Sequence, residues 1–202
     1  MNNSDLFKLI TKRNFLFNIM PIDNISNVMR DGILCKYMAD QFNHLSVAND
    51  QVQRRRDNVM FCDLHRYACL YFDARNPMLY YLSANSNIDS ICVLAVSCEI
   101  LDVDGCIVTD RNASKNMARF FDPQDGLRMI DFDTVYTRYW EDENEFEKDR
   151  KKGIKCAEAL IPESVAYSYI AGAVVCNNVA RNNLINQGFD KRIRIDRDLF
   201  FM

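Results

Sequence analysis

The chain has only six glycines, and none falls in a G-x-G-x-x-G or G-x4-G-K pattern. Without a glycine-lined turn whose backbone N–H groups cradle phosphates, neither a Rossmann dinucleotide site nor a P-loop is expected. Histidine is scarcer still, with His44 and His65 alone, and no pair of the eight cysteines has the C-x2-C spacing of a zinc knuckle. No metal site is therefore expected. Several cysteines lie in apolar runs, such as Cys92 in Ile91-Cys92-Val93-Leu94. They read as buried free thiols of a reducing compartment. No apolar run approaches the roughly 20 residues of a membrane helix. Met1 to Asn18 lacks a continuous apolar stretch followed by small residues, so no secretory signal is read and a cytoplasmic location is expected. A basic excess is missing too. The net charge is -3, so nucleic acid meets no attractive field from the whole protein and requires a local patch.

What is present suits a folded domain. The 202 residues, 49% hydrophobic and 26% charged, fit one domain over 1–202 with one core. Strands are expected at Phe15–Met20, Ile33–Cys35, Tyr67–Phe72, Ile91–Val96, Cys106–Thr109, Ala157–Ile161, Ser168–Val175 and around Ile193 and Ile195. Helices are expected from a cap at Asp23 or Asn24 through Val28 and Met29 to Gly32, at Ser114–Arg119, at Met129–Trp140, and from Val179 to Gln187 before Gly188. The polar stretch Tyr37–Asp57 reads as loop with a helical turn near Asp50–Arg56, and Met78–Tyr81 as helix or loop. The pattern is a mixed α+β domain with many short strands and no repeats.

Four features could carry chemistry. Glu158 is a lone carboxylate in the apolar run Cys156-Ala157-Glu158-Ala159-Leu160-Ile161-Pro162. Buried, it needs something that uses its charge; at a sheet edge it simply faces water. Gln53-Arg54-Arg55-Arg56 offers guanidinium forks that match phosphate oxygens, or a solvated basic turn. Asp73 to Tyr80 holds Asn76 before a proline, a rigid turn that either rims a site or bonds its own backbone. The charged loop Glu141–Lys155 carries Lys148, Arg150, Lys151, Lys152 and Lys155 behind Tyr139 and Trp140. Cations with aromatics suit single-stranded nucleic acid, but the interleaved acids suit a plain surface loop.

In their order these features resemble the DarT family of DNA-base ADP-ribosyltransferases, the toxin halves of toxin–antitoxin pairs. The resemblance runs from Ile22-Asp23-Asn24-Ile25 and Gly32-Ile33-Leu34 through Val52-Gln53-Arg54-Arg55-Arg56, Leu64-His65-Arg66-Tyr67 and Leu70-Tyr71-Phe72. It continues with Arg75-Asn76-Pro77-Met78-Leu79-Tyr80, Thr109-Asp110-Arg111, Ala118-Arg119-Phe120-Phe121, Tyr139-Trp140 and Ala157-Glu158-Ala159-Leu160-Ile161. It implies an ADP-ribosyltransferase fold: a split mixed β-sheet with peripheral helices and a cleft for NAD. The catalytic acid falls on Glu158, the NAD-handling arginine on Arg56 and an aromatic of the nicotinamide pocket on Tyr71. Asn18, where some members have histidine, Ile19 and Asn24 are carried over as NAD contacts. Arg66 departs from the His-Asp-Tyr form that is common there. Contacts to DNA are expected from Arg75, Asn76, Arg111, Arg119, Tyr139, Trp140, Lys148, Arg150, Lys151 and Lys152.

The implied activity is NAD-dependent ADP-ribosylation of thymine or guanine in single-stranded DNA, the Ala74-Arg75-Asn76-Pro77 form leaning to guanine. The implied partner is an antitoxin that hydrolyses ADP-ribose from DNA. The alternatives are an ADP-ribosyltransferase acting on RNA or protein, and a catalytically inactive nucleic-acid-binding module. The segment from Tyr139 to Lys155 is expected to be mobile without DNA, because its mixed charges offer little to bury.

Overall fold

The computed structural model describes residues 1–42, 44–47, 50–57, 59 and 62–202. In chain order its strands are β1 (Phe15–Pro21), β2 (Ile33–Leu34), β3 (Tyr67–Tyr71), β4 (Ile91–Ser97), β5 (Ile107–Thr109), β6 (Phe120–Phe121), β7 (Glu158–Pro162), β8 (Ser164–Val165), β9 (Ile170–Val175) and β10 (Arg192–Ile195). Its helices are α1 (Asn3–Thr11), α2 (Ile25–Asp31), α3 (Lys36–Ala39), α4 (Asp50–Arg56), α5 (Pro77–Asn85), α6 (Pro123–Met129), α7 (Phe132–Val135), α8 (Glu145–Lys155) and α9 (Asn178–Asn186).

The main sheet has the order β10-β9-β4-β1-β3-β7-β5-β6. Its β10–β9 pair is parallel and the other pairs are antiparallel, so the sheet is mixed. The apolar runs of β1 and β4 pair along their whole length, from Phe15↔Ser97 to Pro21↔Ile91. β3 and β7 likewise pair from Tyr67↔Pro162 to Tyr71↔Glu158. Between these two blocks the ladder has the single rung Phe17↔Tyr71. The sheet therefore opens along a seam, and a cleft lies there. A small second sheet, β2 with β8, flanks it. Gly32 makes that flank possible: its φ is +81°, and a Cβ would lie 2.3 Å from the Val165 carbonyl oxygen.

Several local expectations are corrected. Glu141–Lys155 is not a loop, because Glu145–Lys155 forms α8, capped by the Asn144 side chain on Phe146 and Glu147 N–H. Ser114–Arg119 is turns rather than helix. The Asn112 side-chain oxygen takes the Ser114 N–H, and the Asp110 carboxylate takes the Arg119 N–H, which favours local turns. Of the helix expected at Met129–Trp140 only Phe132–Val135 forms, as α7, because Met129 ends α6, Ile130 is extended and Asp131 starts α7 by capping Thr134. Neither Asp23 nor Asn24 caps α2 through its side chain. Helix α1 was not anticipated; Asn2 caps it, and its Leu6 and Phe7 are fully buried. Of the polar stretch Tyr37–Asp57, residues 43, 48 and 49 lie outside the described residues. No helix, among the described residues, is long and apolar enough to cross a membrane.

A candidate active site at the seam of the sheet

Alternation along β3 sets one wall. Ala68 and Leu70 face the core, while Tyr67, Cys69 and Tyr71 line a cleft of about 990 Å³. Tyr71 pairs with Glu158, so the first residue of β7 shares that face. Glu158 is fully buried. Its Oε2 accepts from Arg56 Nη2 at 3.0 Å, and its Oε1 from Arg56 Nη1 at 3.3 Å and Asn112 Nδ2 at 2.9 Å. Its backbone is anchored as well, the N–H donating to Thr109 Oγ1 at 3.1 Å.

Arg56 ends α4 and is 7% exposed. Its Nη2 also donates to Cys69 Sγ at 2.8 Å. Burial works against the guanidinium charge, but the Glu158 carboxylate outweighs it by its charge and hydrogen bonds, and the arginine is held more firmly protonated than usual. Burial pushes the Cys69 thiol up to about 12 and the Tyr71 phenol well above its ordinary range, so both stay neutral. Arg56 lines the cleft and the Glu158 carboxylate it holds lies buried behind it, so a charged ligand meets the guanidinium first.

The other expected cleft residues divide. Asn18 and Ile19 line the cleft. Asn18 Nδ2 donates to the Cys69 carbonyl at 3.0 Å, standing in for a ladder bond where the sheet has opened, while its Oδ1 is buried without a partner among the described residues. Such an acceptor is costly unless a ligand N–H reaches it. Tyr71 lines the cleft with its hydroxyl on Met78 Sδ at 3.1 Å. Asn24 also lines it, but its amide is used up: Nδ2 donates to Leu45 O at 2.7 Å and Oδ1 accepts from Leu45 N at 3.0 Å. It clamps the 44–47 segment against the cleft. His65 completes this rim, with Nε2 2.5 Å from Asp57 Oδ1.

Of the residues expected to touch DNA, some are already engaged. Asn76 is fully buried and caps α5, accepting from Met78 and Leu79 N–H. Arg75 bonds the Asp198 carbonyl and lies 4.0 Å over the Phe201 ring. Trp140 is 6% exposed, edge-on to Tyr80 and Phe201, so its faces are packed, whereas Tyr139 is open. Asp110 holds Arg111 and Arg119. Lys148 pairs with Glu141, Lys151 with Asp142 and Arg150 with Glu147. Lys152 lines the cleft. Lys155, read with this basic cluster, is instead a buried staple that donates to Asp73, Val135 O and Thr137 O. Burial lowers its pKa, and Asp73 only partly restores it.

The sequence reading missed a second groove of about 340 Å³ that shares Arg55, Ser114, Lys115, Asp149 and Gly153 with the cleft. Arg111 and Arg150 line it, as do Met117 and Phe146, two of the most exposed apolar side chains. The signal was available: Phe146 is an apolar residue alone in a charged run. Asn112 and Ser114 were also missed, and nothing in one sequence marks them.

A family model described as DarT, ssDNA thymidine ADP-ribosyltransferase, matches residues 17–201. The chain is 26% identical over 196 residues to a DNA ADP-ribosyl transferase–DNA ADP-ribosyl glycohydrolase fusion protein of Thermosipho africanus. That alignment covers 93% of this chain and 49% of the fusion, so the chain spans about half the length of that relative. Among solved structures, Thermus sp. 2.9 DarT in complex with ADP-ribosylated ssDNA superposes with a TM-score of 0.80 at 23% identity, covering 93% of this chain and 96% of that one. The same protein in complex with NAD+ gives 0.74 at 22%, covering 92% and 96%. The split mixed sheet is thus the ADP-ribosyltransferase fold of these proteins.

Proposed function

The chain belongs to the DarT family of DNA ADP-ribosyltransferases, and from that premise we propose that it transfers the ADP-ribosyl group of NAD to a base of single-stranded DNA. The observation that carries the reading is the buried Arg56–Glu158 pair, whose arginine lines the cleft. Transfer breaks the bond between ribose C1 and the nicotinamide nitrogen and forms one from C1 to a base nitrogen, whose proton must leave. Positive charge develops on the ribose, and Glu158 is the carboxylate beside which it is stabilised. The same carboxylate takes the proton from the base. Arg56 orients the donor through its phosphates. The Asn18 Oδ1, without a partner among the described residues, supports a contact with the N–H of a carboxamide, the group nicotinamide carries. Ile19 and Tyr71 supply apolar wall, and Asn24 contributes by holding the 44–47 segment.

The DNA strand runs in the groove beside the cleft, where Arg55, Arg111, Lys115 and Arg150 meet phosphates and Phe146 offers a stacking face. We assign Arg119, Tyr139, Lys148, Lys151 and Lys152 as further contacts along this path, while Asn76 and Trp140 are buried and Arg75 is packed on Phe201. The acceptor is thymine or guanine. The cap made by Asn76 accounts for the Arg75-Asn76-Pro77 form without a base contact, so the lean to guanine has no support in the geometry. The partner is an ADP-ribosyl hydrolase acting on DNA, in keeping with the fusion architecture of the Thermosipho relative. The test is mass spectrometry of single-stranded oligonucleotides, one lacking thymine and one lacking guanine, after incubation with NAD. One added ADP-ribosyl group on one of them, with nicotinamide released, is the expected result. Turnover only on RNA or protein would move the substrate, and no turnover with any acceptor would make the chain a binding module.

A further inference from the structure

One hydrogen bond to the Glu158 carboxylate comes from outside the arginine pair. Asn112 follows β5, and its backbone N–H donates to Gly153 O at 3.0 Å, in the last turns of α8. Its Nδ2 reaches Glu158 Oε1 at 2.9 Å. Its Oδ1 accepts twice from Ser114, from the N–H at 3.0 Å and from Oγ at 2.6 Å. This network leaves the amide one orientation. Turned over, it would set two oxygens against each other at Glu158 and an NH2 against the Ser114 N–H. Ser114 is 5% exposed, so water is a poor substitute for it as donor.

The two donors to Glu158 differ in kind. Arg56 brings a full positive charge and is a group a phosphate would compete for. Asn112 brings a dipole. It fixes the carboxylate without cancelling the negative charge that a developing cation needs, and it keeps its place if Arg56 shifts toward a phosphate. We propose that Asn112 is a positioning residue that aims the Glu158 carboxylate, and that Ser114 acts through it by locking the amide. This rests on the reading of Glu158 as the catalytic carboxylate.

Steady-state kinetics with NAD and a single-stranded oligonucleotide test it, each variant first checked by its thermal unfolding. Asn112→Ala should lower kcat roughly 10- to 100-fold, the scale of a lost hydrogen bond to a charged group, with little change in either KM. Asn112→Asp keeps the shape but faces Glu158 with an oxygen, so it should be worse than Asn112→Ala; a space-filling role predicts the reverse. Ser114→Ala should lower kcat less, and Asn112→Ala with Ser114→Ala should be no worse than Asn112→Ala alone. If Asn112→Ala does not fold, Asn112→Asp and Ser114→Ala carry the test, and wild-type kcat in both overturns the inference. Losses confined to KM, or an Asp variant better than Ala, or additive losses in the double variant overturn it too. Glu158→Gln separates the two levels. If it is active, the reading of the site fails and the inference with it; if it is inactive beside a wild-type kcat for Asn112→Ala, the inference alone fails.

Discussion

Glu158 has no exposed surface, and its two oxygens are held by three N–H donors. The charge of this residue, rather than its bulk, is what the site needs. Glu158→Gln should therefore lower turnover by about 10²-fold or more, as for a general acid–base group, with a lowered thermal transition because the Arg56 charge loses its partner. Glu158→Ala is the poorer probe. It strands the same charge and leaves no oxygen for the Arg56 and Asn112 donors, at a cost of about 3–5 kcal/mol for a buried pair broken on one side. Arg56→Ala should weaken NAD binding, measured by calorimetry, more than Arg54→Ala or Arg55→Ala, because successive residues of one helix turn point apart. The contrast between Arg56 and its neighbours illustrates how much one sequence can show. Three adjacent arginines are visible, and that they cannot share one target follows from helix geometry. Which of them is buried against Glu158 depends on the packing of α4 over β3, and here only the family resemblance singled out Arg56. Lys155 was illegible for the same reason: a lysine in a charged run looks solvated until three oxygens converge on it.

Among the elements, β1 and β4 were legible because seven-residue strands paired to each other carry nearly unbroken apolar runs. Helix α8 was not, because only its last turn is buried and its middle looks like a loop by composition. Its Glu145–Lys148 and Glu147–Arg150 pairs do sit at helical spacing, a weaker signal than an apolar stripe. As a formed helix α8 presents Phe146 and Arg150 on a fixed scaffold. Phe146→Ala should weaken oligonucleotide binding roughly 5- to 100-fold, the scale of one stacked base. Arg55→Gln with Arg150→Gln should flatten the salt dependence of that binding, by about 0.7 in slope for each phosphate left without its cation. Lys151→Gln should flatten it less, because Lys151 is not among the residues that line the groove. A salt titration measures these slopes. The turn between β5 and β6 has its own signature. Burial would raise the Asp110 carboxyl, but hydrogen bonds from the Arg119 N–H and from the Arg119 and Arg111 guanidinium groups outweigh it and hold it below its usual range. The unfolded chain then binds the proton first, so this contribution is complete above about pH 4 and is lost as pH falls through the folded value. Asp110→Asn should be less stable than wild type at pH 7 and closer to it near about pH 2–3, as read by urea unfolding.

Across the whole molecule, the α+β class and most strands follow from the sequence pattern, but the seam does not. Phe15–Met20 and Tyr67–Phe72 look equally able to pair, and nothing local says that they meet at Phe17 and Tyr71 alone. The gap is a product of two pairings completed elsewhere, β1 with β4 and β3 with β7. Both walls of the cleft stand across it, with Asn18 and Ile19 on one strand and Cys69 and Tyr71 on the other. A molecule seated there touches both halves and is retained only while they stay in register.

That single rung ties the lifetime of the chain to its surroundings. Opening along the seam breaks few backbone bonds, so the apolar packing shared by the two halves is what mainly holds it closed against a protease. A ligand that bridges the halves raises the cost by an amount that grows with its concentration. The protein should therefore be cut slowly where NAD is plentiful and quickly where it is exhausted. Limited proteolysis over a range of NAD concentrations would reveal this as a cleavage rate that falls as the ligand rises. An enzyme of this design would persist longest in the cell best able to feed it.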